Sequence, residues 1–297
     1  MSNFTEHTIT KAVVERFDDT PDPRLRRILG SLVSHLHDFV RDVELTFDEW
    51  KFAIEYLTRT GQKCDQHRQE FILLSDTLGV SMLVDAINHR MPEGATETTV
   101  LGPFYVVEAP ELPSGSDIAG GMTGTPLFVE GVVSSADGMP LSGALVDVWH
   151  TDDDGFYDVQ QLDALGGLAG RARFRTDAEG RFQFWSIMPT FYPIPDDGPV
   201  GEMLKATRRH PYRPAHVHFM IRAEKFETLI THVFAADSPY LDSDAVFGVK
   251  SSLVADFAKE EGGTAPDGRS VAGPWRRLTY GFGVKPAATA DRAAETA

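Results

Sequence analysis

Two histidines stand two residues apart in an apolar stretch of this chain and could hold a metal ion. His216 and His218 lie in the segment AHVHFMIRA, whose alternating pattern predicts a β-strand. Side chains two apart on a strand point to the same face, so both imidazoles project into one space. Imidazole nitrogens are common metal ligands. A hydrogen-bonded pair of core histidines is the alternative, and the pair alone does not decide between the two.

Two tyrosines occupy unusual local contexts. Tyr157 lies in the run DDDGFYD, just past the apolar segment GALVDVWHT, and Tyr192 lies in PTFYPIP. The second run holds too many prolines for a central strand. Taken singly, each tyrosine is most simply a part-buried aromatic residue. Two such tyrosines together with the histidine pair make a candidate site for chemistry.

Four stretches of the chain resemble a known family, the intradiol ring-cleaving catechol dioxygenases. They are LGPFY at 101–105, GALVDVWH at 143–150, YPIPDDGPVG at 192–201 and YRPAHVHF at 212–219. The last two are the most specific, and the likeness extends over nearly the whole chain, including its N-terminal part.

The resemblance implies one Fe(III) per subunit, bound by Tyr157, Tyr192, His216 and His218. Phenolate is a hard anionic donor suited to this hard ion, and a tyrosine whose ordinary pKa is near 10 can ionise beside a bound cation. An open position must remain for the substrate. By the same resemblance, Tyr192 leaves the metal to accept a substrate proton.

Arg213 precedes the histidine pair by three residues. The resemblance gives it a catalytic role, in which its guanidinium stabilises charge that develops on the substrate ring. The alternative is a structural ion pair. His232, in the Thr231-His232 pair, is expected to lie behind the ligands and to orient one of them or Arg213, without binding iron itself.

The chain resembles the hydroxyquinol 1,2-dioxygenase branch more closely than the catechol branch. Asp76, in the run LLSD, places an acid where catechol-cleaving relatives usually carry an apolar residue, and could accept a hydrogen bond from a third hydroxyl. A helix-face or capping carboxylate is the alternative for Asp76. Val246, in DSDAVFGVK, is expected at a pocket wall.

The expected reaction is the O2-dependent cleavage of hydroxyquinol to 3-hydroxy-cis,cis-muconate and maleylacetate in aromatic catabolism, with catechol or a chlorocatechol as the alternative substrate. Leu101 departs from the bulkier aromatic residue expected there and leaves room at the ring edge. The expected substrate-binding residues are Leu73, Asp76, Val100, Leu101, Gly102, Pro103, Phe104, Ile194, Pro195, Arg213 and Val246.

The elements that must position these residues change in kind along the chain. Apolar residues recur at helical spacing up to about residue 92, with a capping box at Thr46–Glu49, an expected helix end at Gly61 and a break at Gly79. From about residue 100, six short β-rich runs alternate with Gly, Pro and Asp turns. Helices followed by strands predict an α+β protein.

Three regions follow from this pattern. We expect a helical dimerisation region at 1–99, an antiparallel β-sandwich that carries the iron at 100–284, and a disordered tail at 285–297. The family resemblance adds that the N-terminal helices form a homodimer interface around a channel for phospholipid.

Composition excludes several classes of partner. The 297 residues include 44 acidic and 28 basic side chains, for a net charge of −16, which disfavours nucleic acid and anionic membranes as partners. The single cysteine, Cys64, excludes an internal disulfide and fits a reducing cytoplasm. We expect no signal peptide, because the first residues lack a basic segment followed by a long apolar core, and no membrane helix, because no apolar run approaches about 18 residues.

Two other classes of protein remain open from the residues alone. One is a zinc hydrolase in which both tyrosines are structural. The other is a sandwich module that binds ligands or partners without metal.

Overall fold

The computed structural model describes residues 3–65 and 68–287. They form two compact units that divide between Gln62 and Lys63. The first unit is helical, with α1 (Ile9–Glu15), α2 (Pro23–Asp42) and α3 (Phe47–Gln62).

Local sequence signals set the starts of α2 and α3. The Asp22 carboxylate accepts a hydrogen bond from the Arg24 N–H at 2.8 Å, and Pro23 occupies the first helical position. The predicted capping box is confirmed, because the Glu49 carboxylate accepts from the Thr46 N–H at 2.9 Å and the Thr46 hydroxyl accepts from the Glu49 N–H at 3.3 Å. Helix α3 ends one residue past the predicted Gly61.

The second unit begins with two short helices, α4 (Glu70–Thr77) and α5 (Val80–Asn88). Gly79 separates them at a φ of 73°, a left-handed conformation that favours glycine, so the predicted break is confirmed. Helix α4 begins at Glu70, whereas the apolar spacing of the sequence predicts a helix from Asp65 to Leu78. Hydrogen bonds in both directions between Asp65 and Arg68 occupy the backbone groups that a helix would use there.

Thirteen strands are described in the second unit. They are β1 (Pro126–Ser135), β2 (Leu145–His150), β3 (Arg171–Arg175), β4 (Arg181–Ile187), β5 (Tyr192–Pro193), β6 (Tyr212–Arg213), β7 (His216–Arg222), β8 (Leu229–Ala235), β9 (Val254–Ala255), β10 (Phe257–Glu260), β11 (Gly263–Thr264), β12 (Ser270–Val271) and β13 (Trp275–Val284). Two further helices, α6 (Leu162–Leu165) and α7 (Pro199–Ala206), lie between strands. The six β-rich runs predicted from the sequence correspond to β1, β2, β3, β4, β7 and β8.

Two sheets make the predicted sandwich. One has the order β10-β13-β1-β4 and the other the order β3-β2-β7-β8-β9. Pairing is mostly antiparallel, but β1 pairs with β13 and β8 pairs with β9 in parallel. Strand β13 was not predicted, because glycines and an Arg-Arg pair interrupt its apolar pattern and its partner strand is distant in the sequence.

The core lies between the sheets and fixes the orientation of β7. Val217, Phe219 and Ile221 point into it, and the Phe219 ring packs against Phe282 of the opposite sheet at a centroid distance of 4.7 Å. A fully buried side chain of this size contributes about 1.5–3 kcal/mol. Because strand side chains alternate, the histidines of β7 must face away from the core.

The predicted regions 1–99 and 100–284 differ from the compact units, because α4 and α5 group with the strands. The start of the predicted disordered tail is bonded to the segment before β8. Pro286 forms a β-bridge with Phe226, and the Lys285 carbonyl accepts from the Glu227 N–H at 2.9 Å. The rest of that tail, 288–297, lies outside the described residues. No helix of the described chain is both long and apolar enough to cross a membrane.

Candidate metal centre and active site

The outer face of the five-stranded sheet presents three histidines. His216 and His218 project together from β7, as predicted, and His232 stands opposite His218 on β8. On the other side, Trp149 of β2 pairs with His218, and its indole stacks on that imidazole at 4.6 Å. All four side chains are buried, so β7 is covered on both faces.

Two loops bring the tyrosines to the same point. Tyr157 follows β2, and Tyr192 opens the short strand β5. The Tyr157 hydroxyl oxygen lies 2.8 Å from His218 Nε2 and 3.3 Å from the Tyr192 oxygen. His216 Nε2 lies 3.2 Å from His218 Nε2. Four potential ligand atoms therefore converge, although their residues span 61 positions of the chain.

Hydrogen bonding and burial give the histidines the form that binds metals. His216 Nδ1 lies 2.7 Å from the Pro214 carbonyl, which can only accept, so the proton is on Nδ1 and the lone pair is on Nε2. Burial lowers the pKa of His216 to about 3 and that of His218 well below its ordinary value. Both imidazoles are therefore neutral near neutral pH.

Tyr157 requires a nearby positive charge in order to ionise. Burial, with the neighbouring Tyr192, raises the pKa of Tyr157 well above 10. The phenol therefore stays protonated unless a cation stabilises the phenolate.

The residues present fit a bound metal ion. Around an ion with ligand bonds of about 2.0–2.1 Å and angles of about 90–120°, neighbouring ligand atoms lie about 2.9–3.6 Å apart. The measured separations of 2.8, 3.2 and 3.3 Å are of this size. Two neutral imidazoles and two ionisable phenols supply nitrogen and hard oxygen donors.

Arg213 is held beside this cluster by a buried carboxylate. Its Nε donates to Asp244 Oδ1 at 3.1 Å, and its Nη2 lies 3.4 Å from His232 Nδ1. Burial opposes the charge, but Asp244 outweighs it, so the pKa of Arg213 is raised and the guanidinium is permanently charged. Since a guanidinium only donates, His232 Nδ1 is the acceptor, which fits the predicted orienting role. Arg213 is thus in an ion pair and also lies beside the cluster of candidate ligands.

Leu101, Gly102 and Phe104 pack close to the cluster of candidate ligands. The Phe104 ring stacks on Tyr157 at 4.3 Å, and Leu101 packs in the same apolar cluster. Gly102 has a φ of 77°, and a Cβ there would lie 3.3 Å from His218 Cε1, so glycine lets the backbone approach the imidazole.

Asp76 is half-buried near the end of α4. Burial raises the pKa of its carboxyl, Ser81 and Arg213 oppose that rise, and Asp244 adds to it. Asp76 therefore lies within electrostatic reach of the Arg213–Asp244 pair. Leu73 is one turn earlier on α4.

Some of the other expected pocket residues have contacts near the cluster of candidate ligands, and others do not. The Val246 N–H donates to Asp244 Oδ1 at 3.4 Å. Burial lowers the pKa of His232 well below its ordinary value, and the Val100 backbone opposes that shift. Ile194 and Pro195 directly follow β5. In the described residues, no hydrogen bond or ring contact joins the four candidate ligand atoms to Leu73, Pro103, Ile194 or Pro195. The substrate-binding role of all the expected pocket residues stays a prediction.

Two buried ion pairs were missed from the sequence. Asp244 lies in the quoted run DSDAVFGVK, but its pairing with Arg213 was not expected. Asp158 follows Tyr157 directly and accepts from Arg171 Nε at 2.6 Å, while Arg171 Nη1 donates to the Phe104 carbonyl at 2.9 Å. Acidic residues and arginines are common on protein surfaces, so residue type alone does not indicate a buried ion pair. Only the position of Asp158 next to the candidate ligand Tyr157 could have indicated that it is buried and paired.

Fold and site together define a class, namely β-sandwich proteins that gather two tyrosines and two histidines at one point. Comparison with known proteins assigns the chain to a family of this class. Residues 100–282 match the family model described as "Dioxygenase", and residues 22–96 match "Catechol dioxygenase N terminus". The chain therefore belongs to the intradiol ring-cleavage dioxygenase family.

Three relatives are informative. The chain is 54% identical to 6-chlorohydroxyquinol 1,2-dioxygenase of Cupriavidus pinatubonensis, over 89% of this chain and 95% of that protein. It is 50% identical to hydroxyquinol 1,2-dioxygenase of Rhizobium sp., over 92% of each. The solved structure of hydroxyquinol 1,2-dioxygenase from Pseudomonas putida DLL-E4 matches with a TM-score of 0.89 and 49% identity, covering 95% of this chain and 98% of that one.

Proposed function

We propose that this enzyme cleaves hydroxyquinol (benzene-1,2,4-triol) with O2 between its two adjacent hydroxyls, giving 3-hydroxy-cis,cis-muconate, which tautomerises to maleylacetate. The observation that carries the proposal is the convergence of Tyr157, Tyr192, His216 and His218 on one point, beside Arg213. Relatives that are 50% and 54% identical over most of the chain and are named for hydroxyquinol and 6-chlorohydroxyquinol support the triol as substrate.

The ion that we assign to this point is one Fe(III) per subunit. Two phenolate donors favour a hard, highly charged ion, and neutral imidazoles complete a set that leaves room for substrate. When bound, Fe(III) draws electron density from a chelated diolate and so opens a ring carbon to attack by O2. One iron per subunit follows from one such cluster in the described residues.

The side chains around the ion have distinct tasks. Tyr192 accepts a proton from one substrate hydroxyl at its phenolic oxygen, while Tyr157 stays fixed under the Phe104 ring. The Arg213 guanidinium stabilises negative charge on the substrate ring, because a fixed cation in a buried site acts strongly on nearby charge. His232 holds that guanidinium in place through the 3.4 Å contact to Nη2.

Asp76 gives the preference for a third hydroxyl. A buried carboxylate that pairs with a substrate hydroxyl discriminates strongly against an analogue without it. The apolar pocket wall consists of Leu73, Val100, Leu101, Gly102, Pro103, Phe104, Ile194, Pro195 and Val246. Leu101 leaves space at the ring edge, which supports acceptance of chloro- or methyl-substituted rings, in line with the 6-chlorohydroxyquinol relative.

The active form that we propose is a cytoplasmic homodimer joined through the N-terminal helices. Helices α2 and α3 leave large apolar side chains exposed on the single chain, namely Leu25, Ile28, Leu32, Leu36, Phe39, Phe47, Trp50, Phe52, Ile54 and Leu57. Apolar side chains exposed in this number usually mark an interaction site. The same surface would give the acyl chains of a phospholipid an apolar lining.

The decisive experiment mixes purified protein with hydroxyquinol anaerobically, records the visible spectrum and then admits O2, with catechol in parallel. We expect a red protein with one iron per chain, a band that shifts with the triol, and maleylacetate formed faster than muconate is formed from catechol. A red protein that prefers catechol would contradict the substrate. An iron-replete but colourless protein would contradict the tyrosine ligands.

Tyr192→Phe tests the ligand assignment separately. We expect the variant to lose most of its activity and to show an altered visible band, because one phenolate is removed. Tyr212→Phe is the matched control, since Tyr212 lies on the paired strand β6 and points away from the cluster into an aromatic group with Tyr240. An unchanged band in Tyr192→Phe would remove Tyr192 from the ligand set.

A further inference from the structure

Arg209 joins two segments of the second unit through its guanidinium. Nη1 donates to the Thr77 carbonyl at 2.7 Å, at the last residue of α4, and Nη2 donates to the Ala245 carbonyl at 3.2 Å. Thr77 follows Asp76 and Ala245 precedes Val246, so each bond falls one residue from a proposed determinant of substrate choice. The two contacts span 132 and 36 positions of the chain.

An arginine is well suited to this position. The last carbonyls of a helix have no partner within the helix, and a positive charge there complements the helix dipole. The planar guanidinium can donate to two acceptors in fixed directions, which a lysine ammonium does less well. No carboxylate pairs with Arg209 among the hydrogen bonds and ion pairs of the described residues, so its donors serve backbone carbonyls.

The ring of Phe247 packs against the guanidinium of Arg209. Its centroid lies 5.1 Å from the Arg209 guanidinium carbon, and the ring also lies 3.6 Å from the position of a Cβ on Gly79. Phe247 has a φ of 59°, a left-handed conformation that is rare for a bulky residue. Such a conformation persists where the surroundings over-determine it. Here it places the ring between Arg209 and the turn at Gly79.

Asp244 ties the same segment to the active site. Its carboxylate accepts from the Gly248 N–H at 2.8 Å and the Val246 N–H at 3.4 Å, and from Arg213 Nε at 3.1 Å. The segment 244–248 is therefore bound to Arg213 on one side and, through Arg209, to the end of α4 on the other.

We propose that Arg209 is a positioning residue that sets the separation between the Asp76 wall and the Val246 wall, and thereby the preference for a three-hydroxyl ring. This inference rests on the proposed function. In the described residues, the side-chain hydrogen bonds of Arg209 go to the two backbone carbonyls and not to the candidate ligand atoms. Its loss lets α4 and the segment 244–248 move apart, so the hydrogen bond that the third hydroxyl donates to the Asp76 carboxylate lengthens while the cluster of candidate ligands is unchanged.

The test compares Arg209→Met with Arg208→Met. Arg208 is the matched control, because it is the neighbouring exposed arginine and no hydrogen bond or ion pair of its side chain is described. The ratio of kcat/KM for hydroxyquinol to kcat/KM for catechol is measured with the resting visible spectrum. In Arg209→Met we expect this ratio to fall about tenfold, mostly through KM for hydroxyquinol, with an unchanged band. Arg208→Met should keep the wild-type ratio.

Arg209→Lys guards against a variant that fails to fold, since it keeps a positive charge at the helix end but cannot bridge both carbonyls equally well. We expect a ratio between those of the wild type and Arg209→Met. A wild-type enzyme that shows no preference for hydroxyquinol overturns the proposed function and this inference together. A wild-type preference that Arg209→Met and Arg209→Lys both retain overturns the inference alone.

Discussion

The Asp76 carboxylate is proposed to aid substrate recognition, but its burial lowers the stability of the folded protein. This carboxylate is the proposed acceptor for the third hydroxyl, and the ionised form is the stronger acceptor. Burial raises its pKa above the ordinary 3.8, so the folded state disfavours that ionised form. The preference for the triol is thus built on a group that costs the fold free energy near neutral pH.

Replacing Asp76 by Asn should therefore stabilise the protein while weakening the preferred reaction. Above the raised folded pKa the wild-type charge is destabilising, and this cost disappears as the pH falls towards 3.8. We expect the unfolding midpoint of Asp76→Asn to exceed that of the wild type by about 2 °C at pH 8, with a smaller gap at lower pH. Thermal unfolding at several pH values measures this, and a gap that widens at low pH would show that the sign is wrong.

The same position gives a kinetic prediction. In Asp76→Ala, kcat/KM for hydroxyquinol should fall by about 10²-fold or more, because the third hydroxyl loses its acceptor, while kcat/KM for catechol should change little. Steady-state rates on both substrates measure the difference. Equal losses on both would assign Asp76 to structure and not to recognition.

Among the elements, β3 and the loop after β2 meet at a buried ion pair that supports Tyr157. Asp158 and Arg171 are both almost fully buried, and the Asp158 carboxylate also accepts from the Ala169 N–H at 3.1 Å. A buried ion pair adds little net free energy to folding, because both charges lose their water. Removal of one partner, however, leaves the other charge buried and unpaired, which is costly.

Arg171→Met should therefore destabilise the protein by about 3–5 kcal/mol. The matched control is Arg175→Met on the same strand, where the partner Glu111 and Arg175 are both exposed and the expected loss is about 0–1 kcal/mol. Urea unfolding of both variants measures the contrast. Similar small losses would mean that water replaces the Arg171 guanidinium around Asp158.

Strand β13 offers a second contrast between two glycines of one element. A Cβ on Gly283 would lie 1.9 Å from the Gly94 carbonyl oxygen, whereas a Cβ on Gly281 would meet nothing within 4 Å. Gly283→Ala should cost about 1–3 kcal/mol, because backbone must shift, and Gly281→Ala should stay within about 0.5 kcal/mol of the wild type. Denaturant unfolding measures both. Equal effects would show that the segment around Gly94 moves freely.

For the whole molecule, the exposed apolar side chains of α2 are the surface on which the proposed dimer depends. Leu32 is 58% exposed, and Met139, in a turn of the second unit, is 61% exposed. A buried charge at an interface without a partner costs several kcal/mol, so Leu32→Arg should dissociate the dimer while Met139→Arg should not. Sedimentation equilibrium gives the mass directly. A wild-type protein with the mass of one chain would contradict the proposed dimer.

The sequence by itself determined the features that depend on short-range physics. Alternation in AHVHFMIRA placed His216 and His218 on one face, and that face is the one away from the core. The capping box at Thr46 and the break at Gly79 were equally local, because hydrogen bonds to the nearest backbone groups and a left-handed φ depend on few residues. The local context of each tyrosine singled it out, and the family resemblance added the expected role of both as iron ligands. The structure brings their hydroxyl oxygens within 3.3 Å of each other.

Only the tertiary structure decided the pairings between distant residues. The parallel pairing of β1 with β13 and the Arg213–Asp244 pair, 31 positions apart, have no local signal, since a single arginine or acid on a sequence has many possible partners. The bridge from Arg209 to Thr77 and Ala245 is of the same kind. Packing of the whole second unit selects these partners, because a buried charge or helix carbonyl takes whichever group the fold brings within reach.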